Sequence, residues 1–335
     1  MTPLQVCEAI TENRLVDRQT RTYFTGLPSE ERHYWIASLY ALLMPVARRR
    51  RLAAYFTPPH LAQHAIDALV DAGIQPGRHR ILDPASGGAA FLVPLAARIA
   101  KYGHQIGANA KTILSSINNT LRGVEIDAGL ARLSHLLLSD LLDAEIQSSG
   151  IKLNGLIERA DTLKLDNPEP LYDAVIGNPP YGRILRPTNA LLLRYRPVIS
   201  DGYVNLYALF VEQALQCVRP GGLVCLIIPM SFVGGPYFAA LRRRMLEMAS
   251  VLRLDVIDKR SDVFLDVLYD LCVIVLRRTD GITPAVTAKT SLLLIDQPNR
   301  DLGNLEIPTH PSSHVWALPD EVDGSSLFQP GLETL

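Results

Sequence analysis

One stretch decides the fold: Ile81-Leu82-Asp83-Pro84-Ala85-Ser86-Gly87-Gly88-Ala89-Ala90-Phe91-Leu92. It runs from a short apolar strand through a turn of small residues into a helix. Such a turn lets a ligand approach the backbone, and the first N–H groups of the helix carry partial positive charge. Taken alone, the turn is weak evidence for a ligand site, because glycine-rich turns also serve as plain connections and a dinucleotide site needs a different glycine spacing.

Short apolar strands alternate with helical stretches from residue 80 onward. This alternation predicts an α/β fold, a doubly wound and mostly parallel sheet of seven strands with helices on both faces. Ligands of such sheets bind at the carboxyl ends of the strands, so functional residues are expected just after strands. The predicted strands are Ile81-Leu82, 121–126, 155–159, 174–177, 223–228, 252–257 and 271–276.

The chain divides into three predicted parts. Residues 1–50 place apolar side chains at helical spacing and are expected to form a helical N-terminal segment. Residues 51–278 are expected to form the main α/β domain. Residues 279–335 are rich in proline and lack periodicity, which predicts a linker, a small irregular tail or the start of a recognition region.

The composition fits a globular protein with a sizeable core, since 48% of the 335 residues are hydrophobic and 20% are charged. No apolar run approaches the roughly 18 to 20 residues of a membrane span, and the N-terminus does not resemble a secretion signal. A cytoplasmic location without membrane contact is therefore expected. The four cysteines are widely spaced and form no C-x-x-C pair, which favours buried thiols over a metal site.

The formal net charge is only −1, yet the arginines are clustered. Two runs are Arg48 to Arg51 and Arg242 to Arg244, and a looser group follows Tyr181. Local basic faces matter more for phosphate binding than the total charge does. The clusters are therefore compatible with a nucleic-acid partner, although solvated helix faces explain part of them.

Carboxylates follow two more of the predicted strands. Glu125 lies at the end of one strand, where an acid suits an acceptor for two ribose hydroxyls. Asp161 follows the next strand, where it could accept a hydrogen bond from an adenine amino group. Each has a plainer explanation, since Glu125 could be a solvated strand-end acid and Asp161 could cap the following turn.

A more specific signal is the tetrapeptide Asn178-Pro179-Pro180-Tyr181, which follows the predicted strand 174–177. The two prolines hold the backbone rigid and donate no N–H. The amide oxygen of Asn178 and the carbonyl of Pro179 are therefore acceptors aimed where a planar amino group can lie. Tyr181 adds an aromatic face on which a planar substrate can stack.

At these residues the sequence resembles the N6-adenine DNA methyltransferases of the gamma arrangement. The resemblance implies a Rossmann-like class I methyltransferase fold that uses S-adenosyl-L-methionine as its cofactor. The implied catalytic residues are Asn178, Pro179, Pro180, Tyr181 and Phe264, with Tyr269 the less favoured choice for the second aromatic. The implied cofactor contacts are Tyr55, Thr57, Asp83, Ala85, Gly87, Glu125, Ile126, Asp161, Thr162 and Asn178.

The implied function is site-specific methylation of adenine N6 in double-stranded DNA, within restriction-modification or phage defence. The adenine must leave the duplex to reach the methyl group. This scheme requires no metal, and a specificity or restriction subunit is an expected type of partner. Two alternatives stay open: an amino-group methyltransferase that acts on a glutamine side chain or on ribosomal RNA, and a non-catalytic subunit that binds cofactor and DNA.

Two features depart from the family pattern. Ala89 stands where the family usually has a second glycine in the cofactor loop, and Gly88 lies one position earlier. An alanine at that position is strained if the backbone there requires a positive φ. The family also carries a sizeable DNA-recognition domain after the catalytic domain, and only residues 279–335 occupy that place in this sequence.

Overall fold

The computed structural model describes residues 2–12, 14, 17–52, 56–165, 172–200, 202–257, 270–279, 287–293 and 309–315. Internal contacts divide the chain into two units, the first mainly Met1–Lys164 and the second mainly Leu165–Pro298. Each unit contains part of the alternation of strands and helices that the sequence predicts. The domain boundaries expected at residues 50 and 278 stay predictions.

The first unit begins with helices, as the spacing of apolar residues predicts. Thr2 starts the first helix with a capping box, in which its hydroxyl accepts from the N–H of Gln5 and the Gln5 side chain accepts from the N–H of Thr2. Asp17 caps the second helix by accepting from the N–H groups of Gln19 and Thr20. The helices are α1 Pro3–Thr11, α2 Arg18–Gly26, α3 Ser29–Leu43, α4 Val46–Leu52 and α5 Pro59–Asp71.

The sheet of the first unit consists of β1 Ile81–Asp83, β2 Leu121–Glu125 and β3 Ile157–Arg159. The strands are parallel and lie in the order β3-β2-β1. The helices between and after them are α6 Leu92–Gln105, α7 Ala110–Thr120, α8 Ala128–Leu141 and α9 Asp143–Ser149. Since parallel strands end at the same edge of a sheet, the loops that follow β1, β2 and β3 gather at one edge.

The described residues of the second unit form six strands and four α-helices. The strands are β4 Tyr172–Gly177, β5 Val218–Pro229, β6 Ala249–Ile257, β7 Leu271–Arg278, β8 Thr287–Leu293 and β9 Thr309–Val315. The helices are α10 Asn189–Arg194, α11 Leu206–Cys217, α12 Ser231–Gly234 and α13 Ala239–Met248. The strand order is β4-β5-β7-β6-β8-β9, and β7 is antiparallel to both of its neighbours.

The core of the second unit lies around β5 and β7. Residues 222–229 and 271–276 are buried without interruption. Unbroken apolar runs of this kind are typical of strands that are covered on both faces, and α11 packs against β5 and β4. The core therefore fixes the end of β4, where the tetrapeptide begins.

All seven strands that the sequence predicts are confirmed, and the α/β fold with its helical N-terminal segment is confirmed with them. The sheet differs from the expectation in two respects. The antiparallel strand β7 makes the sheet of the second unit mixed. The strands β8 and β9 lie in the stretch where the sequence shows no periodicity, because backbone pairing builds such strands without a regular apolar pattern.

The four cysteines are buried and none of them forms a disulfide, as expected. Burial raises the pKa of Cys7 to about 12 and that of Cys217 to about 12, so neither is a thiolate at neutral pH. Within the described ranges, no helix combines the length and the hydropathy that a membrane crossing requires.

Candidate functional site

The loop after β1 starts with a carboxylate that is completely buried. Asp83 Oδ1 accepts a hydrogen bond of 3.2 Å from the N–H of Ala85. Asp83 Oδ2 and the nearby hydroxyl of Ser86 are buried and have no hydrogen-bond partner among the described residues. Burial, with a smaller contribution from the charge of Glu125, raises the pKa of Asp83 to about 8. This loop therefore contains polar atoms that a bound donor group would satisfy.

The carboxylate of Glu125, at the end of β2, holds the loop. Its Oε2 accepts from the N–H of Gly87 at 2.8 Å, and its Oε1 accepts from the N–H of Asp127 at 2.8 Å. Burial raises the pKa of Glu125 to about 7, against the lowering effect of these two hydrogen bonds. A carboxylate offers about four lone pairs, so Glu125 can accept further hydrogen bonds from ligand hydroxyls.

The backbone of the loop is left-handed at two positions. Gly87 has a φ of 52° and Ala89 a φ of 61°. Among the described residues, Ala89 is the one residue other than glycine with a positive φ. The strain expected from the sequence is therefore present, at a typical cost of about 1 to 2 kcal/mol. The structure shows what holds it, because Ala89 is fully buried and its N–H donates to the carbonyl of Ser86 at 2.7 Å.

The N-terminal segment packs directly on this loop. A Cβ placed on Gly88 would lie 2.4 Å from the Cβ of Ala37 on α3 and 3.1 Å from the ring of Phe56. A pocket opens between α3, the segment 56–59 and the loop, and Thr57 is buried in its wall. Further residues of the wall are Glu30, His33, Tyr34, Val93 and Pro94.

Asp127 links the end of β2 to the N-terminal segment. It caps α8 by accepting from the N–H groups of Gly129 and Leu130. Its carboxylate also accepts from the hydroxyl of Tyr40 at 3.0 Å and forms an ion pair with Arg48. These contacts were not predicted, because Tyr40 and Arg48 lie far from Asp127 in the sequence and no local pattern connects them.

The remaining predicted cofactor contacts of the first unit lie at strand ends. Ile126 follows β2 and leaves 55% of its surface exposed. Asp161 follows β3, where it accepts from the N–H of Leu163 at 3.2 Å and pairs with Lys164. Asp161 therefore caps this turn, and its role as a cofactor contact stays a prediction. Thr162 is buried, and its hydroxyl donates to the carbonyl of Pro84 in the loop after β1.

The tetrapeptide lies in the second unit, immediately after β4. Pro179 is buried, while Asn178, Pro180 and Tyr181 are partly exposed. The hydroxyl of Tyr181 donates to the amide oxygen of Asn178 and also lies 3.1 Å from the carbonyl oxygen of Ile227 in β5. Burial raises the pKa of Tyr181 well above its usual value, so the hydroxyl stays a donor. The aromatic ring is therefore fixed beside the amide that the sequence marks as catalytic.

The chain that follows the tetrapeptide folds back on the start of α11. The N–H of Leu206 donates to the carbonyl of Gly182 at 2.9 Å, and the N–H of Ile184 donates to that of Val204 at 2.8 Å. Asn205 then caps α11 by accepting from the N–H of Tyr207. The position of the tetrapeptide is thereby fixed from both sides.

Three predicted site residues lie outside the described residues. These are Tyr55, expected next to the cofactor, and the two candidates for the second aromatic, Phe264 and Tyr269. The other predicted cofactor contacts of the first unit surround the loop after β1 or follow β2 and β3, and Asn178 is described with the tetrapeptide.

Known proteins resemble this chain in sequence. The family model "Eco57I restriction-modification methylase" matches residues 99–264. The Type II methyltransferase M.PstI of Providencia stuartii is 34% identical over 104 residues, which are 31% of this chain and 20% of that protein. M.PaeR7I of Pseudomonas aeruginosa is 26% identical over 243 residues, 69% of this chain and 41% of that protein. The chain thus spans less than half the length of these relatives.

Solved structures resemble the chain in fold. A putative class I S-adenosylmethionine-dependent methyltransferase of Listeria monocytogenes has a TM-score of 0.54 and 15% identity, covering 90% of this chain and 85% of that one. A nuclease-deletion mutant of the Type ISP restriction-modification enzyme LlaGI, in complex with a DNA substrate mimic, has a TM-score of 0.65 and 16% identity, covering 93% and 30%. The predicted Rossmann-like class I methyltransferase fold is thereby confirmed.

Proposed function

We propose that this chain, which belongs to the restriction-modification methylase family, transfers a methyl group from S-adenosylmethionine to the N6 amino group of an adenine in double-stranded DNA. The observation that carries the proposal is the placement of Asn178 and Tyr181 directly after a buried strand. An amide oxygen and a fixed aromatic ring lie together there, and both suit a planar base with an exocyclic amino group.

The loop after β1 fits the proposed cofactor. S-adenosylmethionine supplies a methyl group activated on a positively charged sulfur. The buried Asp83 has an oxygen without a partner among the described residues, and a bound cation or donor would stabilise its ionised form. Glu125 has free lone pairs for ribose hydroxyls, and Ile126 offers an exposed apolar surface beside them. Thr57, Ala85, Gly87, Asp161 and Thr162 are proposed as further contacts.

The tetrapeptide orients the amino group. The amide oxygen of Asn178 and the carbonyl of Pro179 would each accept one N–H, which favours a pyramidal nitrogen with its lone pair free to attack the methyl group. The prolines keep these acceptors in place because their φ angles are fixed. The N–C bond would form as the C–S bond of the donor breaks and its sulfur becomes neutral. The extra proton on the nitrogen would then pass to water, so no base is needed before the transfer.

Tyr181 contributes by stacking. Taking an adenine out of a duplex costs a few kcal/mol, and stacking on an aromatic side chain is worth about 1 to 3 kcal/mol per base. The ring of Tyr181 can therefore offset much of the cost. We assign a second aromatic contact to Phe264 and a cofactor contact to Tyr55, both on the strength of the family resemblance.

The proposed partners follow from the relatives. M.PaeR7I and M.PstI are Type II methyltransferases, and LlaGI was solved with a DNA substrate mimic. Since this chain spans less than half of M.PaeR7I and M.PstI, we assign recognition of the DNA sequence to a specificity or restriction subunit or to further residues of the same protein.

The test is transfer of labelled methyl from S-adenosylmethionine to a pool of unmethylated duplexes, with N6-methyladenine identified by mass spectrometry. Asn178→Ala should lower the rate at least about 100-fold, the usual cost of removing a group aimed at the transition state. Cofactor affinity, measured by calorimetry, should stay the same. Asn189→Ala is the matched control, because Asn189 is an exposed asparagine on α10.

Each rival function has its own outcome in this assay. Label in ribosomal RNA or in a protein glutamine, with none in DNA, contradicts the DNA proposal. Cofactor and DNA binding without transfer to any acceptor, with candidate partner subunits added, identifies a non-catalytic subunit.

A further inference from the structure

A stacked pair of tyrosines forms an exposed surface beside the tetrapeptide. The rings of Tyr203 and Tyr237 are nearly parallel, with centroids 4.8 Å apart and an interplanar angle of 23°. The guanidinium carbon of Arg183 lies over the ring of Tyr203, 5.2 Å from its centroid. Tyr237 leaves 52% of its surface exposed. We call these three side chains the tyrosine platform.

The ring of Tyr203, on which Tyr237 stacks, is held by contacts of its own. The N–H of Tyr203 donates to the carbonyl of Ser200 at 2.8 Å, and the hydroxyl of Ser200 accepts from the N–H of Ala240 at the start of α13. The buried ring of Phe238 meets Tyr203 edge to face at 5.7 Å. A pre-positioned aromatic surface loses little entropy when a flat partner stacks on it.

The platform is close to the proposed catalytic group along the chain and in the fold. Arg183 is two residues beyond Tyr181, and it forms a β-bridge with Asn205. Tyr203 lies on the same returning segment, just before α11. A strand whose adenine reaches Asn178 would therefore place neighbouring nucleotides near the platform.

The segment between the tetrapeptide and the platform is rich in positive charge. The sequence from residue 182 to residue 203 contains four arginines and one acidic residue, Asp201. Arg183, Arg186 and Arg196 are exposed. Exposed aromatic rings interleaved with arginines are typical of surfaces that stack bases and contact phosphates, whereas a protein partner would have to be strongly acidic.

We propose that the tyrosine platform stacks a DNA base next to the site of methylation, while Arg183 and Arg186 contact the phosphates of the same strand. This proposal rests on the proposed function, because it takes DNA as the acceptor. It assigns a second stacking surface to the chain, separate from Tyr181, whose role is to hold the flanking DNA and not the methylated base.

The test is the affinity of the full chain for a fluorescein-labelled pool of random 40-base-pair duplexes, measured by anisotropy at fixed salt. Tyr237→Ala should weaken binding about 5- to 100-fold, the usual value of one stacked base. The control is Tyr102→Ala, because Tyr102 is 62% exposed on α6 in the first unit. Its affinity for DNA should equal that of the unmodified chain.

Rescue by a larger ring separates stacking from a structural role. Tyr237→Trp should restore the affinity for DNA, and the added indole fluorescence should be quenched by the duplex. Arg183→Ala should reduce the slope of log Kd against log salt by about one phosphate contact. Thermal unfolding and cofactor affinity should be the same in all of these variants.

The proposal is overturned if Tyr237→Ala binds duplexes as the unmodified chain does, if Tyr102→Ala is equally impaired, or if the unmodified chain does not bind DNA. Loss of binding to a protein partner, with DNA affinity intact, also overturns it. Methyl transfer to the same pool separates the two proposals. DNA binding that depends on Tyr237 without transfer supports the platform and contradicts the catalytic proposal.

Discussion

Two buried carboxylates set the electrostatics of the first unit at the scale of single residues. Asp83 and Glu125 end the neighbouring strands β1 and β2, and burial raises the pKa of both. Two nearby groups act on this pair: the carboxylate of Asp127, which raises the pKa of Glu125, and Arg48, which pairs with Asp127. The protein therefore stores unfavourable free energy at this loop near neutral pH.

The substitution Asp83→Asn tests whether the buried carboxylate of Asp83 destabilises the folded protein near neutral pH. The folded state keeps the proton of Asp83 up to about pH 8, whereas the unfolded chain loses it near pH 4. The stability that this group contributes is thus complete below about pH 4 and is lost as the pH rises through 8. Without cofactor, Asp83→Asn should be more stable than the unmodified chain at pH 8, by roughly 2 to 4 kcal/mol, and should bind S-adenosylmethionine more weakly.

Urea unfolding at pH 5 and at pH 8 measures the effect of Asp83→Asn. The control is Asp67→Asn, because Asp67 is an exposed carboxylate on α5. It should keep the pH dependence of the unmodified chain. Equal stability differences at both pH values for Asp83→Asn would show that Asp83 does not titrate in this range.

The two functions of the Tyr181 side chain can be separated. Its hydroxyl donates to Asn178, while its ring is assigned to stacking. Tyr181→Phe keeps the ring and should leave the KM for DNA within about threefold, with kcat reduced less than tenfold, since a neutral hydrogen bond is worth about 1 kcal/mol. Tyr181→Ala should raise the KM for DNA about 5- to 100-fold. Equal losses in the two variants would assign the effect to the hydroxyl, because both variants lack it, and would contradict the stacking role of the ring.

The sequence predicts part of the site and misses another part for a physical reason. Asp83 and Glu125 are predictable because each ends a strand of the first unit, and the carboxyl ends of parallel strands lie at one edge of a sheet. Asn178 is predictable from the tetrapeptide that it begins. Tyr40 and Asp127 are separated by 87 positions, so no local pattern connects them. The same applies to Gly88, whose lack of a side chain reflects contact with α3 and is not a local turn requirement.

At the scale of elements, α3 and the loop after β1 form one packed surface. Gly88 allows α3 to approach, because a Cβ there would lie 2.4 Å from that of Ala37. Ala89, one position later, has the left-handed backbone that the family usually assigns to glycine. Gly88 therefore allows α3 to pack closely on the loop, and Ala89 has a strained backbone.

Gly88→Ala should push α3 away from the loop. The added methyl group meets Ala37 and Phe56, and overpacking of this kind costs about 1 to 3 kcal/mol. Affinity for S-adenosylmethionine should fall with stability, since the loop moves. Gly26→Ala is the control, because a Cβ on Gly26 in α2 meets nothing within 4 Å. Urea unfolding and calorimetry report the two effects, and equal behaviour of the two variants would contradict the packing argument.

A strand is predictable from the sequence when its apolar residues form a clear pattern, and it is missed when they do not. The strands β5 and β7 are unbroken apolar runs, and the sequence locates them directly. The strand β9, with the sequence Thr309-His310-Pro311-Ser312-Ser313-His314-Val315, has no such pattern and was expected to be irregular. Its pairing with β8 is a backbone interaction that the side-chain pattern does not encode.

At the scale of the whole molecule, the N-terminal helices belong to the first unit by their contacts. Cys7 and Ile36 are fully buried, and the thiol of Cys7 donates to the carbonyl of Ile36. Asp140 on α8 forms an ion pair with Arg32 and a hydrogen bond of 2.7 Å with the ring of His33. Further links join Glu8 to Arg132, and Tyr40 and Arg48 to Asp127.

A chain of residues 53–335 tests this integration. Removal of α1 to α4 would expose the apolar faces of α5 and α8 and leave Asp127, which is buried, without Tyr40 and Arg48. Each large apolar side chain that loses its cover costs about 1.5 to 3 kcal/mol, a large part of the stability of a typical domain. The shortened chain should therefore lose cooperative thermal unfolding and near-ultraviolet circular dichroism. Retention of both, with cofactor affinity intact, would show that residues 1–52 are an independent addition.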